Sequence, residues 1–129
     1  MRQLPPPKDF SPDERDVWSA AQRQLRAQGT WTGRSDLPLL ESYCRNVVLA
    51  RTARRAIADM PTPLERDTNT GMMAAAGKLK VAESAEAAAH KFATALLLTP
   101  EARKRHGIQD IAEGAQRELN ALVSQGRRP

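Results

Sequence analysis

The residues of this chain best placed to bind an anion are three arginines within five positions, Arg51, Arg54 and Arg55. In a helix, at about 100° per residue, they fall within about a third of a turn of one another. They lie on a different side from most of the apolar residues of the same segment. Two interpretations stay open, a solvated helix face and a stripe that contacts the phosphates of a nucleic acid.

The other reactive residue types indicate no catalytic site. Cys44 lies among apolar residues with no histidine near it in sequence, which favours a core residue over a nucleophile. His90 has no partner at metal-ligand spacing. The stretch from Gly71 to Lys78 resembles a phosphate-binding loop, but five residues separate its glycines and Leu79 stands where Ser or Thr must meet magnesium. We predict no enzymatic activity, cofactor or metal.

The arginine stripe requires a helix, and the sequence predicts one from Asp36 to Met60. Ser35 or Asp36 can cap it, and Pro38 suits the first turn, where a missing N–H costs nothing. Pro61 ends it. At about 1.5 Å per residue it would be a rod of roughly 35 Å, which needs a partner along most of its length.

The predicted partner is a third helix over residues 78–98, reached through a loop or weakly ordered connection at 61–77, in which Met72 to Ala76 could add a short helical turn. Its apolar residues recur at alternating steps of three and four, as in a coiled-coil seam. The seam consists of Ala82, Ala85, Ala89, Phe92 and Leu96. Alanine lets two backbones approach closely, so this seam could close a long antiparallel helical hairpin or join two subunits.

The N-terminal part begins with a proline-bearing leader over residues 1–10, which we expect to be extended rather than packed. Ser11 to Glu14 then forms the pattern of a capping box at the start of a first helix. Val17, Trp18 and other apolar residues follow at helical spacing, and Gly29 ends this helix.

The C-terminal part contains two further helical segments. Thr99 can cap a short basic helix that ends at Gly107. An amphipathic helix follows over residues 108–123, and it either docks another protein or packs on its own domain. The fold class is therefore all-α: an N-terminal helix, a long antiparallel hairpin and short C-terminal helices. We expect a leader at 1–10, a helical core at 11–106, and the last helix with a basic tail at 107–129.

Composition favours a nucleic-acid partner for a single small domain. The chain has 129 residues, a formal net charge of +5 and a pI near 10, which favours an anionic partner. Aromatic residues make up only 4%, so the core must be built from small aliphatic side chains and would gain from oligomerisation. A single cysteine and the lack of any membrane-length apolar run predict an intracellular protein.

Taken in order, several pieces of the chain resemble the small subunit of a tailed-phage terminase, over about residues 4 to 106. The pieces are Leu4-Pro5-Pro6-Pro7 before Phe10-Ser11-Pro12, Val17-Trp18, Trp31-Thr32, Asp36-Leu37 through Glu41-Ser42-Tyr43-Cys44, Gly77-Lys78 before an alanine-rich helix, and Leu98 to Arg105. The resemblance implies a non-enzymatic DNA-recognition component that forms rings in the host cytoplasm. It also implies delivery of viral DNA to a large terminase subunit, which carries the ATPase and the nuclease.

Three functions remain to be separated. The first is a ring-forming packaging adaptor, whose weak phosphate contacts are multiplied by assembly. Its candidate DNA-contacting residues are Arg45, Arg51, Arg54, Arg55, Lys78 and Lys80. The second is a small dimeric helix-turn-helix transcription regulator that uses residues 12–60. The third is a structural adaptor with no nucleic-acid role.

Overall fold

The structure, a computed structural model, describes residues 3–31, 36–60, 69–105, 107 and 113–124. The described residues are helical, with no strand among them, so the predicted all-α class is confirmed. The helices are α1 (Pro12–Ala27), α2 (Leu37–Ala58), α3 (Asn69–Ala95), α4 (Pro100–Arg105) and α5 (Glu113–Ser124).

The first helix begins with the predicted capping box. Ser11 Oγ accepts the backbone N–H of Glu14 at 3.2 Å, and Glu14 Oε1 accepts the backbone N–H of Ser11 at 2.8 Å. These two bonds satisfy donors that the first turn of a helix leaves without an intrahelical partner. Gly29 follows the helix with φ +73°, a conformation that glycine adopts without steric cost. Both predicted ends of α1 are confirmed.

The second helix begins at Leu37 with Pro38 in its first turn, as the sequence predicts. Asp36 holds the cap position, but its side chain accepts no capping hydrogen bond. The alternative cap, Ser35, lies outside the described residues. The helix ends at Ala58, two residues before the predicted end at Met60.

The third helix is longer than predicted. It begins at Asn69, nine residues before Lys78, so the helical turn expected at 72–76 is part of α3 and the loop prediction was wrong for the rest of 69–77. The stretch contains two glycines, Gly71 and Gly77, and each costs a helix only about 1 kcal/mol. The strong helix formers at 72–76 offset that cost. Residues 61–68 lie outside the described part of the chain.

The predicted seam is buried inside the subunit. α2 and α3 make the most extensive contact between any two of the described helices. Ala82, Ala85, Ala89 and Leu96 are buried and Phe92 is partly buried, while the neighbouring Ala93 joins the core. These buried positions lie on α3, the helix that packs most extensively against α2.

The leader packs against the helices, contrary to prediction. Phe10 is only 3% exposed, and Leu4 lies against the core formed by α1, α2 and α3. The cause is Trp18, whose indole is buried and whose N–H needs an acceptor. The carbonyl oxygen of Leu4 accepts that N–H at 2.9 Å.

The last helix packs on its own domain, which is one of the two predicted alternatives. Leu119 is 1% exposed, and Leu122 and Val123 lie partly buried against the same core. α5 contacts α1 and α2. The predicted start of this helix at 108–112 lies outside the described residues.

A buried polar cluster joins the end of α1 to the connection between α3 and α4. Gln28 Nε2 donates to the carbonyl of Leu97 at 2.9 Å and to Thr30 Oγ1 at 2.9 Å. Its Oε1 accepts from Arg103 Nη1 at 3.2 Å, and Arg103 is 2% exposed. Arg103 belongs to the short basic helix α4, which Thr99 caps as predicted by accepting the N–H of Ala102 at 3.2 Å.

Candidate nucleic-acid interface

The structure separates the six candidate DNA-contacting cations into three groups. Arg51 is buried, Arg54 and Arg45 are paired with carboxylates at the surface, and the remaining three lie near one end of the α2–α3 pair. The helical stripe of three arginines predicted from sequence therefore does not behave as one surface.

Arg51 is a structural residue. Its side chain is 3% exposed, Nη1 donates to the carbonyl of Leu122 in α5 at 3.2 Å, and Nη2 lies 3.3 Å from Asp13 in α1. Position 51 is one helical turn after Val47, and residues four apart share a face. Arg51 therefore belongs to the core-facing side, where α1 and α5 cover it. This burial argues against the prediction that Arg51 faces DNA.

Arg54 joins α2 to α3. Its Nε and Nη2 donate to the two carboxylate oxygens of Glu86 at 3.1 and 2.7 Å, in the two-point geometry that suits a guanidinium. The two side chains are 31% and 20% exposed. The hydrogen bond to Glu86 raises the pKa of Arg54 above its usual value.

Arg45 is held by the leader. Its Nη2 lies 3.2 Å from each carboxylate oxygen of Asp9, and its guanidinium carbon lies 4.8 Å from the ring centre of Phe10. The hydrogen bond lowers the pKa of Asp9 below its ordinary value and raises that of Arg45. Both side chains remain well exposed, so the pair contributes little stability.

Arg55, Lys78 and Lys80 have no ion-pair partner in the part of the chain that the structure describes. Arg55 and Lys80 are exposed and Lys78 is half-buried. Arg55 follows Arg54, which contacts Glu86, and the two lysines precede Glu86 by about 9 to 12 Å along α3 at 1.5 Å per residue. Arg55 therefore lies near the C-terminal end of α2, and the two lysines lie on the part of α3 that precedes Glu86.

Asp9 and Phe10 are site residues that sequence reasoning missed. They lie 36 and 35 positions from Arg45. The leader and α2 are far apart in the sequence, so no helical periodicity predicts that they meet. Asp9 and Phe10 lie beside Arg45 because the leader packs on Trp18. A proline-rich segment gives no such signal, because its prolines predict an extended backbone and no partner.

A cleft of about 170 Å³ lies between α2, α3 and α5. Its walls include Tyr43, Val47, Ala93 and Leu119, and the Arg54–Glu86 pair forms part of its edge. Burial raises the pKa of the Tyr43 hydroxyl, so this group stays protonated at neutral pH.

Cys44 is a core residue, as the sequence predicts. It is fully buried, and burial raises the pKa of its thiol above the usual value. A thiol held in its protonated form is a poor nucleophile. Across residues 3–31, 36–60, 69–105, 107 and 113–124, no cluster of three or more His, Cys, Asp or Glu side chains could hold a metal ion. None of the described helices combines the length and apolar character of a membrane span.

Comparison with known families identifies the family of this chain. The family model for the phage terminase small subunit matches residues 15–113, most of the chain. The chain therefore belongs to the phage terminase small subunit family, and the resemblance found in the sequence is confirmed. No curated protein and no solved structure gave a significant match.

Proposed function

We propose that this protein is the DNA-recognition component of a phage genome-packaging machine. It binds double-stranded viral DNA, delivers it to the large terminase subunit, and performs no catalysis itself. Family membership supports the packaging role. The observation that carries DNA binding is that Arg55 on α2 and Lys78 and Lys80 on α3 form no ion pair among the described residues.

These three cations make the primary phosphate contacts in our proposal. Arg54 and Arg45 contribute only by exchanging a carboxylate partner for a phosphate, because Glu86 and Asp9 occupy them in the free protein. Arg51 makes no contact with DNA, because its guanidinium is enclosed by α1 and α5. Sequence-independent phosphate contacts of this type position a protein on the duplex.

We further propose that the subunit assembles as a homo-oligomeric ring on an antiparallel α2–α3 hairpin. The antiparallel course is supported by the ion pair of Arg54 with Glu86 and, further along, by Tyr43 of α2 and Ala93 of α3, which line the same cleft. Assembly is supported by Leu49, Leu79 and Val81, which are 40–48% exposed on α2 and α3. A ring multiplies weak phosphate contacts by raising their effective concentration. It acts in the cytoplasm of the bacterial host.

The DNA-binding proposal is tested by measuring affinity for duplex DNA as a function of salt. Each phosphate contact contributes about 0.9 to the slope of log K against log salt, so Arg55→Gln/Lys78→Gln/Lys80→Gln should lower the slope by about 2 to 3 per subunit engaged. The matched control is Arg15→Gln/Lys104→Gln/Arg105→Gln, which removes the same charge from exposed residues of α1 and α4. Equal decreases of the salt slope in the two triple variants would show that DNA binding depends only on net charge.

Assembly and partner binding need their own measurements. Native mass spectrometry should give a single closed oligomer at micromolar concentration, and only monomer or dimer would refute the ring. Added protein should change the DNA-dependent ATPase rate of the large terminase subunit. Strong preference for one palindromic site, with half-sites a DNA turn apart, would instead favour the dimeric transcription regulator.

A further inference from the structure

The leader, residues 3–10, is attached to the helices at two separate points, and we call it the strap. The first point is Leu4. Its N–H donates to Gln22 Oε1 at 2.8 Å, and its carbonyl accepts from Gln22 Nε2 at 3.0 Å and from Trp18 Nε1 at 2.9 Å. Both backbone polar groups of one residue are therefore satisfied by side chains of α1.

The second point is Arg45. Asp9 places both carboxylate oxygens 3.2 Å from its Nη2, and the ring of Phe10 lies under its guanidinium. The Phe10 ring also meets Trp18 edge-on, with 5.6 Å between ring centres. The strap thus covers and neutralises a cation whose side chain still remains 42% exposed.

We propose that the strap is a phosphate-gated cover on Arg45, which opens at its second point when DNA binds. The inference rests on the proposed DNA-binding function and adds a regulatory step to it. A DNA phosphate takes the place of the Asp9 carboxylate on the guanidinium, because both anions can accept hydrogen bonds from Nη2 of Arg45. Asp9 therefore competes with DNA and lowers the affinity of the free protein.

The geometry singles out this pair over the similar pair of Arg54 and Glu86. Both members of the Arg54–Glu86 pair lie on packed helices, and the Glu86 side chain is only 20% exposed. Asp9 belongs to a segment outside the helices, and its side chain is 71% exposed. An exposed ion pair is weakly held, so a duplex phosphate can displace it at low cost. The first point, at Leu4, stays attached because no charged group takes part in it.

The first test compares DNA affinities in a double-variant cycle. Asp9→Asn should bind duplex DNA about two- to fivefold more tightly than the wild type. This factor corresponds to the free energy that an exposed ion pair typically contributes. In an Arg45→Gln background the same substitution should leave the DNA affinity unchanged. Asp16→Asn is the matched control, because it removes one exposed carboxylate that is in no ion pair among the described residues. Any gain in DNA affinity from Asp16→Asn should be the same in the wild-type background and in the Arg45→Gln background.

The second test measures the strap itself by hydrogen exchange and mass spectrometry. Saturating duplex DNA should raise deuterium uptake over residues 8–10, where the N–H of Phe10 donates to the carbonyl of Pro7. Asp9→Asn and Arg45→Gln should each show the raised uptake without DNA. A readout on the strap distinguishes gating from a general effect of charge on affinity.

The outcomes separate this inference from the proposed function. DNA binding with unchanged or lower uptake over the strap overturns the gate and leaves the DNA-binding function intact. A gain from Asp9→Asn that survives in the Arg45→Gln background overturns it as well. If the wild-type protein binds no duplex DNA at low salt, both the proposed function and the gate are refuted.

Discussion

Replacing Arg51 tests whether this arginine is a structural residue or a DNA contact. Arg51→Met keeps most of the aliphatic stem and removes the guanidinium. The carbonyl of Leu122 then loses its donor at 3.2 Å, and a hydrogen bond from a charged group is worth about 1.5–3 kcal/mol. The pair with Asp13 adds less than about 1 kcal/mol, because 54% of the Asp13 side chain is exposed. Relief of guanidinium desolvation offsets part of the loss, so we expect about 2 kcal/mol of destabilisation.

The assay has two parts, stability and salt dependence. Urea unfolding should give the loss of stability, and hydrogen exchange should show increased uptake over α5 first, because Arg51 holds the last turn of that helix. Below the unfolding transition, the salt slope of DNA binding should equal that of the wild type.

Arg55→Met is the matched control, because Arg55 is exposed on the same helix. It should change stability by no more than about 0.5 kcal/mol and lower the salt slope by about 0.9. If Arg51→Met leaves stability and α5 protection unchanged but lowers the slope, Arg51 faces DNA and the burial argument is refuted.

Three further outcomes follow from the same contacts. Cys44 should react with a thiol reagent only at the rate of unfolding, and fast labelling of the native protein would contradict its burial. A double-mutant cycle on Arg54 and Glu86, read by urea unfolding, should give a coupling of about 1 kcal/mol that shrinks in high salt, since both side chains are partly exposed. The pKa of Asp9 in the folded protein lies below its usual value of 3.8. The contribution of the Asp9 carboxylate to stability is therefore present above that pH and is lost as the pH falls through the folded-state pKa. Thermal unfolding of wild type and Asp9→Asn should therefore converge in acid, and a difference that grows on acidification would contradict the pairing with Arg45.

Sequence patterns predicted the helices well where the signals are local. The capping box at Ser11 and the proline at position 38 act through residues in the same turn, so their effects can be read without a tertiary structure. The start of α3 was predicted nine residues late because Asn69, Gly71 and Gly77 are typical of a loop, whereas the residues between the glycines favour a helix. Local propensity differences of this size are too small to decide a boundary alone.

The candidate site was predicted less well because charge pairing is a tertiary property. Arg51 and Arg55 are one turn apart and similar in sequence context, yet one is buried and the other exposed. The difference is that α5, more than sixty residues later in the chain, ends above Arg51. Likewise, nothing local to α2 indicates that Asp9 reaches Arg45. The sequence shows how many cations a helix carries, but only the folded chain shows which of them are paired or buried.

The contact between α1 and α5 has a consequence for the order in which the chain folds. Arg23 and Glu118 form an ion pair across 95 positions, and Leu119 completes the core that α1 lines. Contacts between residues so distant in sequence form slowly, because the intervening chain must first be ordered. During synthesis α1 emerges first but cannot reach its final packing until α5 has left the ribosome. The α2–α3 pair, whose contacts are closer in sequence, is therefore the part that can form while translation continues, and the first helix is the last to be covered.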